Sequence, residues 1–197
     1  MRGLAVIAFG WALVIHVAGC ASTPAAHFYT LSAATTPAGA TAPNLSVAVG
    51  PVSVPAAVDR PQIVVSTGPH QVRLDEFNRW ASPLQDNIAR VVAENLVAMV
   101  GTPRVTLFPL TLDANPDYRV QIGVRNFVSA PGTFASLDAV WTVRRTKDGK
   151  TETGRTSARE PLQDSGYDTL AAAHSRAIAR LSQDIADIVR TMERAAP

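Results

Sequence analysis

The chain has 197 residues, a formal net charge of +2 and 47% hydrophobic residues. Basic and acidic residues are nearly balanced and no Lys/Arg block occurs, which argues against a nucleic-acid-binding protein. A single cysteine rules out an internal disulfide, and the length suits one domain with a short extension.

The first 19 residues have the pattern of a secretory signal. Arg2 gives a positive start, residues 4–17 form an apolar run, and two small residues then precede Cys20. The run is shorter than the roughly 20 residues that a membrane-spanning helix needs. A charged start, a short apolar core and small residues at the exit are typical of a signal peptide. We therefore expect residues 1–19 to be a signal peptide and the mature chain to begin at Cys20.

Cys20 and the residues before it resemble the bacterial lipobox. The resemblance implies a diacylglycerol thioether on Cys20, cleavage before it, and a further acyl chain such as palmitate on the new amine. Each buried CH₂ of an acyl chain contributes about 0.8 kcal/mol, so two or three chains hold a protein permanently. In enteric bacteria an acidic residue at the next position favours the inner membrane, and Ala21 therefore predicts the outer membrane, facing the periplasm. The alternative is an ordinary signal or an uncleaved anchor with an incidental cysteine.

Residues 21–44 are rich in Ala, Thr, Pro, Ser and Gly, a composition typical of a flexible tether. Its root-mean-square reach would be roughly 25–30 Å. The apolar segment 27–31 interrupts it. This segment either forms a short strand on the domain's own sheet or docks on a neighbouring subunit or partner. We expect the lipidated Cys20 and tether to span 20–44 and the folded domain to span 45–197.

Periodicity along the domain predicts strands, a helix, more strands and a second helix. Alternating or apolar runs predict strands near 45–52, 62–66, 71–77, 104–108, 118–124, 137–143 and 151–160. The polar strand 151–160 follows a hairpin turn at 147–150 and is expected to be exposed or at an edge. This order predicts an α/β fold: a single layered domain with a mixed β-sheet covered by two amphipathic helices.

The two helices are predicted at about 82–100 and 167–194. Ser82, Pro83 and Gln85 have the spacing of a capping box at the start of the first helix, and Gly101 ends it. The second helix carries an apolar stripe with steps of three and four residues. His174 lies on this stripe, so it is either a core histidine or a residue at a contact edge.

The sequence contains no recognisable set of catalytic groups. It has no nucleophile-elbow, zinc-protease, P-loop or dinucleotide-binding motif. The three histidines of the mature chain lie in the tether, a turn and a helix, a distribution that does not indicate a metal site. Asp75 and Glu76 are adjacent in a strand, so their carboxylates should point to opposite faces and share no proton. We therefore expect no enzyme, no catalytic residues, no metal and no cofactor.

Two local groups of residues stand out as candidate partner-binding sites. Asp59 and Arg60 precede a rigid Pro at the start of a strand, and Trp80 stands just before the first helix. The structural alternatives are a loop ion pair, worth little when exposed, and a Trp packed in the core or over the helix start. Asp59, Arg60 and Trp80 are the predicted contact residues.

Several of these segments together resemble one protein family. They are the lipobox, a Tyr-x-Leu segment at Tyr29 and Leu31, the Asp-Arg-Pro-Gln-Ile-Val segment that starts at Asp59, and the Trp-x-x-Pro-Leu segment at Trp80. This pattern is similar to the auxiliary lipoproteins of ABC-type transport systems, the paraquat-inducible protein C family. The resemblance covers nearly all of the mature chain.

The resemblance implies a non-catalytic outer-membrane lipoprotein of an MCE-type ABC transport system. It would dock a periplasm-spanning lipid conduit, built by an MCE-domain protein of the inner membrane with its permease and ATPase, and so support membrane integrity. A different hypothesis is an envelope-assembly lipoprotein that activates a peptidoglycan or surface-lipid enzyme. The transported lipid, the direction of transport and assembly into a homo-oligomeric ring stay open.

Overall fold

The computed structural model describes residues 24–35, 44–109 and 115–195. Cys20 and the predicted signal peptide, residues 1–19, lie outside the described residues. The elements in chain order are β1 His27–Tyr29, β2 Val47–Ser53, β3 Gln62–Gly68, β4 Gln71–Trp80, α1 Leu84–Leu96, β5 Val105–Leu107, β6 Tyr118–Ala130, β7 Phe134–Arg145, β8 Thr151–Pro161 and α2 Tyr167–Arg194. The predicted succession of strands and two helices is confirmed.

The strands form one eight-stranded mixed sheet organised around β6. On one side, β6 pairs antiparallel with β7 over its whole length, and β7 pairs with β8. On the other side, the first half of β6 pairs in parallel with β2, while Ser129 near its end pairs in parallel with Val65 of β3. The strand order on that side is β1-β4-β3-β6-β2-β5. The predicted α/β class with a mixed sheet is therefore confirmed.

Both helices lie on one face of this sheet and pack against each other. α1 contacts β2, and α2 contacts β7 and β8. The apolar stripe of α2, predicted from its spacing, is buried almost completely from Leu170 to Met192. The end of α2 is fixed by polar contacts: Arg145 donates to the Met192 carbonyl oxygen at 2.7 Å, and the Tyr118 hydroxyl donates to Glu193 at 2.9 Å. No helix in the described ranges is long and apolar enough to cross a membrane.

The start of α1 differs from the predicted capping box. The N-cap position is Pro83, whose ψ of 134° is extended, and no side chain caps the helix. Because the helix begins at Leu84, Ser82 lies one residue too early for its hydroxyl to serve as the cap. At the other end a π-helical turn, Val97–Gly101, follows α1. Gly101 has a φ of 76° there, which confirms it as the helix terminator.

The C-terminal hairpin matches its sequence pattern. β8 pairs only with β7 and is mostly exposed, so it is an edge strand as expected. Gly154 of β8 lies opposite Trp141, and a Cβ atom at this position would clash with the indole ring. The hairpin therefore needs glycine here, because the Trp141 ring occupies the space over the strand. The indole N–H donates to Thr156 at 3.0 Å, and the Thr156 hydroxyl donates to Asp184 of α2 at 2.6 Å.

The segment 27–35, which the sequence analysis placed in the tether, belongs to the folded domain. β1 pairs in parallel with β4 over residues 78–80, and Leu31 is completely buried in the core. Of the two alternatives for this segment, the structure has the strand on the domain's own sheet. The domain thus begins before residue 45, because the apolar residues of this segment gain more from burial than from exposure in a tether.

Candidate functional site

The segments that carry the sequence resemblance meet at one corner of the sheet. The backbone N–H of Trp80 donates to the Pro61 carbonyl oxygen at 2.7 Å, and the N–H of Ala81 donates to the Tyr29 carbonyl oxygen at 2.8 Å. The end of β4 is thereby held between the start of β3 and the end of β1. We call this corner, formed by Tyr29, residues 59–62 and residues 79–81, the motif junction.

A tight loop presents Asp59 and Arg60 at the surface of the motif junction. The Pro55 carbonyl oxygen accepts hydrogen bonds from the N–H groups of Val58 at 3.0 Å and Asp59 at 3.2 Å, and the Arg60 N–H donates to Val58 at 2.9 Å. Both charged side chains are exposed. The local backbone bonds fix the loop, so the two charges are displayed on a rigid support.

A polar cluster ties β3 to the irregular part of β4 beside this loop. The Gln62 amide donates to the Glu76 carboxylate at 3.3 Å, and Arg79 Nε donates to the Glu76 carbonyl oxygen at 2.9 Å. Three β4 residues, 76–78, are inserted here relative to β3, since Gln62 pairs with Arg79 and Ile63 pairs with Asp75. All these polar contacts are near the surface, so they are weak individually.

Trp80 lies beneath the motif junction, in the core. Its side chain is 5% exposed, and its ring makes edge-on contacts with Phe127 and His174 at centroid distances of 6.2 Å. Phe127 and His174 stack on each other at 3.9 Å. The indole thus supports the corner from inside, as the core alternative in the sequence analysis has it, and presents no contact surface next to Asp59 and Arg60.

Ser129 and His174 form a pair that resembles a nucleophile and its base, but their surroundings do not suit catalysis. His174 Nε2 lies 2.8 Å from the Ser129 hydroxyl. Both residues are buried, and His174 Nδ1 has no hydrogen-bond partner to orient the ring. Burial lowers the pKa of His174 to about 3. Because its ring stays neutral and is inaccessible, His174 is a core histidine.

Asp75 is the centre of a second buried polar network. Its carboxylate accepts hydrogen bonds from Tyr167 and from the side chain and backbone N–H of Asn78, the last two at 3.0 Å. Burial by itself would raise the pKa of Asp75, but these hydrogen bonds lower it to about 2. Glu76 points to solvent, which confirms that the adjacent carboxylates do not share a proton. Within the described ranges, no cluster of His, Cys, Asp and Glu could hold a metal ion.

The residues after β1 are held by side chains of both helices, and these contacts were not predicted from the sequence. We call residues 30–35 the strap. The strap N–H groups of residues 31, 32 and 34 donate to Asn87, Ser175 and Asn95, at 3.3, 3.1 and 3.3 Å, and Arg90 donates to the Leu31 carbonyl oxygen at 2.6 Å. The sequence does carry a sign of these contacts. Polar residues on the otherwise apolar faces of the two helices indicate side chains that form hydrogen bonds with buried backbone groups.

A family model for the ABC-type transport auxiliary lipoprotein component matches residues 29–186. The chain belongs to this family. The match begins at Tyr29, the last residue of β1, so the family domain of this auxiliary component includes the strap and the whole motif junction. A comparison with curated protein sequences found no match.

Two crystal structures share the fold of this auxiliary lipoprotein component. One is an uncharacterized protein with a TM-score of 0.70 and 19% identity, which covers 84% of this chain and 99% of its own. The other is protein XCC0632 from Xanthomonas campestris, of the DUF330 family, with a TM-score of 0.69 and 18% identity, covering 86% of this chain and 100% of its own. At this identity the likeness concerns the fold alone.

Proposed function

We propose that this auxiliary component is a non-catalytic lipoprotein subunit of an MCE-type ABC transport system. It is held in the outer membrane through Cys20, faces the periplasm, and docks a lipid conduit that an MCE-domain protein extends from the inner membrane. The observation that carries the proposal is the family match, which starts at Tyr29, nine residues after the cysteine of the segment that resembles a lipobox.

A docking role agrees with the chemistry of the described residues. The one serine–histidine pair is buried without an orienting partner, and the buried carboxylate of Asp75 is fully engaged by hydrogen-bond donors. These groups stabilise the domain rather than react. The activity of such a subunit lies in what its surface binds.

We place the contact with the conduit at Asp59 and Arg60. Both charges are exposed on a loop whose backbone is already fixed by hydrogen bonds, so little backbone entropy is lost when they bind a partner. Trp80 contributes indirectly, because it supports the loop from the core.

Co-purification from membranes tests this proposal. The lipidated protein, extracted under gentle conditions, should bring down the MCE-domain protein together with its permease and ATPase. Arg60→Ala should lower the amount recovered about tenfold, the effect of losing about 1.4 kcal/mol of binding free energy. Its melting temperature should stay unchanged, because the side chain is exposed. The matched control is Arg180→Ala. Arg180 is also exposed but lies on α2, so this substitution should not affect recovery.

Three outcomes would contradict the proposal. Recovery of the unaltered protein without any MCE-domain protein rejects the transport role. Recovery of a peptidoglycan or surface-lipid enzyme instead supports the envelope-assembly hypothesis. A large drop in melting temperature for Arg60→Ala assigns that residue to the stability of the loop and not to a partner.

A further inference from the structure

Exposed large apolar side chains are concentrated on β1 and β4. Among the described residues, four of the six such side chains belong to these two strands. They are Phe28 at 64% exposure, Val72 at 63%, Phe77 at 39% and Leu74 at 38%. We call these four residues the apolar edge, because β1 and β4 lie at one end of the strand order.

The apolar edge lies mainly on the sheet face that the helices leave open. Leu74 pairs with Val64 of β3. The neighbours of Val64 in β3 point into the core, so Val64 and Leu74 lie on the opposite face of the sheet. Val72 lies two residues from Leu74 and therefore shares this face. Phe28 shares that face too, since its partner on β4 is the residue before the inward-facing Trp80. Three apolar side chains thus lie together in solvent, an arrangement typical of an interaction surface.

The docking of β1 brings this edge close to the predicted lipid attachment site. Because the chain is docked from His27 onward, only six residues, 21–26, lie between this point and Cys20. The seven Cα–Cα steps from Cys20 to His27 span at most about 25 Å. A tether free to residue 44 would reach much further. The lipid anchor therefore holds β1 nearer to the bilayer than the far end of the sheet.

We propose that the apolar edge lies against the membrane surface and inserts Phe28 into its interfacial layer. This inference rests on the proposed lipid attachment at Cys20. Apolar side chains gain free energy when they leave water for the headgroup and acyl boundary. Arg79 pairs with Phe28 and shares its face, so its charged end can stay at the level of the lipid phosphates. The short link favours the membrane over a second copy or a partner protein as the occupant.

Quenching of tryptophan fluorescence tests this orientation. The full-length protein is purified with its lipid, carries Phe28→Trp, and is placed in vesicles of phosphatidylethanolamine and phosphatidylglycerol with brominated acyl chains. The native Trp80 and Trp141 are buried, so they supply a constant background. The F28W protein should lose most of its added emission to the bromine atoms, and that emission should shift to shorter wavelength. The matched control is Phe108→Trp after β5, at the opposite end of the strand order and 47% exposed, which should show neither effect.

The outcomes separate this inference from the proposed lipid attachment. Mass spectrometry of the same sample reports whether Cys20 carries lipid. If Cys20 carries lipid but the F28W protein is quenched no more than the F108W protein, the proposed membrane orientation is wrong. The proposed lipid attachment is then still supported. If Cys20 carries no lipid, both fail. If the F28W emission shifts with protein concentration in the absence of vesicles, a second copy covers the edge and the inference is overturned.

Discussion

The ionisation of His174 is coupled to folding. Burial lowers its pKa from 6.5 to about 3, so the folded protein keeps the ring neutral. Below pH 6.5 the unfolded chain binds a proton that the folded domain does not. Stability must therefore fall as the pH decreases from about 6.5 toward 3, by about 1.4 kcal/mol per pH unit.

We expect His174→Gln to remove this pH dependence between pH 7 and pH 5. The variant is less stable at neutral pH, because it loses the stacking on Phe127, but its free energy of unfolding should hardly change across this range. Urea unfolding at several pH values measures the slope. His70→Gln, in the turn between β3 and β4, is the control and should keep the slope of the unaltered protein. An unchanged slope in His174→Gln would show that another group is responsible.

Asp75 changes its ionisation at lower pH than His174, so it does not affect the slope of stability against pH between pH 5 and pH 7. Its pKa is about 2 in the folded protein and 3.8 as an ordinary side chain. The stability that its ionised form provides is complete above pH 3.8 and is lost as the pH falls through 2. Between pH 5 and 7 both states keep Asp75 ionised, so this window reports on His174.

At the scale of elements, the strap links the N-terminal segment to both helices. Its backbone is bound by side chains from α1 and α2, and Leu31 fills a position in the shared core. The strap therefore contributes to the packing of α1 against α2. A pull on the proposed lipid anchor would act on the core through β1.

Leu31→Ala should lower the free energy of unfolding by about 2–5 kcal/mol, because it leaves a cavity in a fully buried site. Phe28→Ala removes a larger side chain from the same segment but should change stability by at most about 0.5 kcal/mol, since Phe28 is largely exposed. Urea unfolding of the two variants gives the comparison. If both were equally stable, the segment would not be docked in solution.

At the scale of the whole molecule, membrane attachment and folding are predicted to be independent. Cys20→Ser removes the only thiol that can carry the diacylglycerol, and the family domain starts nine residues later. The variant should leave the membrane fraction while its urea unfolding curve stays unchanged. Membrane fractionation and circular dichroism measure the two properties. A variant that remained in the outer membrane and complemented a deletion would require a different model of attachment.

The local pattern of residues was enough to predict most elements of this domain. The stripe on α2, the alternation of β6 and β7 and the Gly101 terminator each follow from side-chain periodicity or backbone preference. The capping box failed because two neighbouring positions, Ser82 and Pro83, were both acceptable helix starts. One residue of difference decides whether a hydroxyl can reach the helix N-terminus.

By itself, the sequence determined the fold class, the order of elements and the likeness to a family, because these depend on periodicity and on short motifs. Only the tertiary structure decided where Trp80, His174 and segment 27–35 lie. Each of them carries both apolar and polar groups, so its position depends on partners far away in the chain. Those partners, Phe127, Ser129 and Ser175, are brought close by the sheet and the second helix, and local sequence does not encode that proximity.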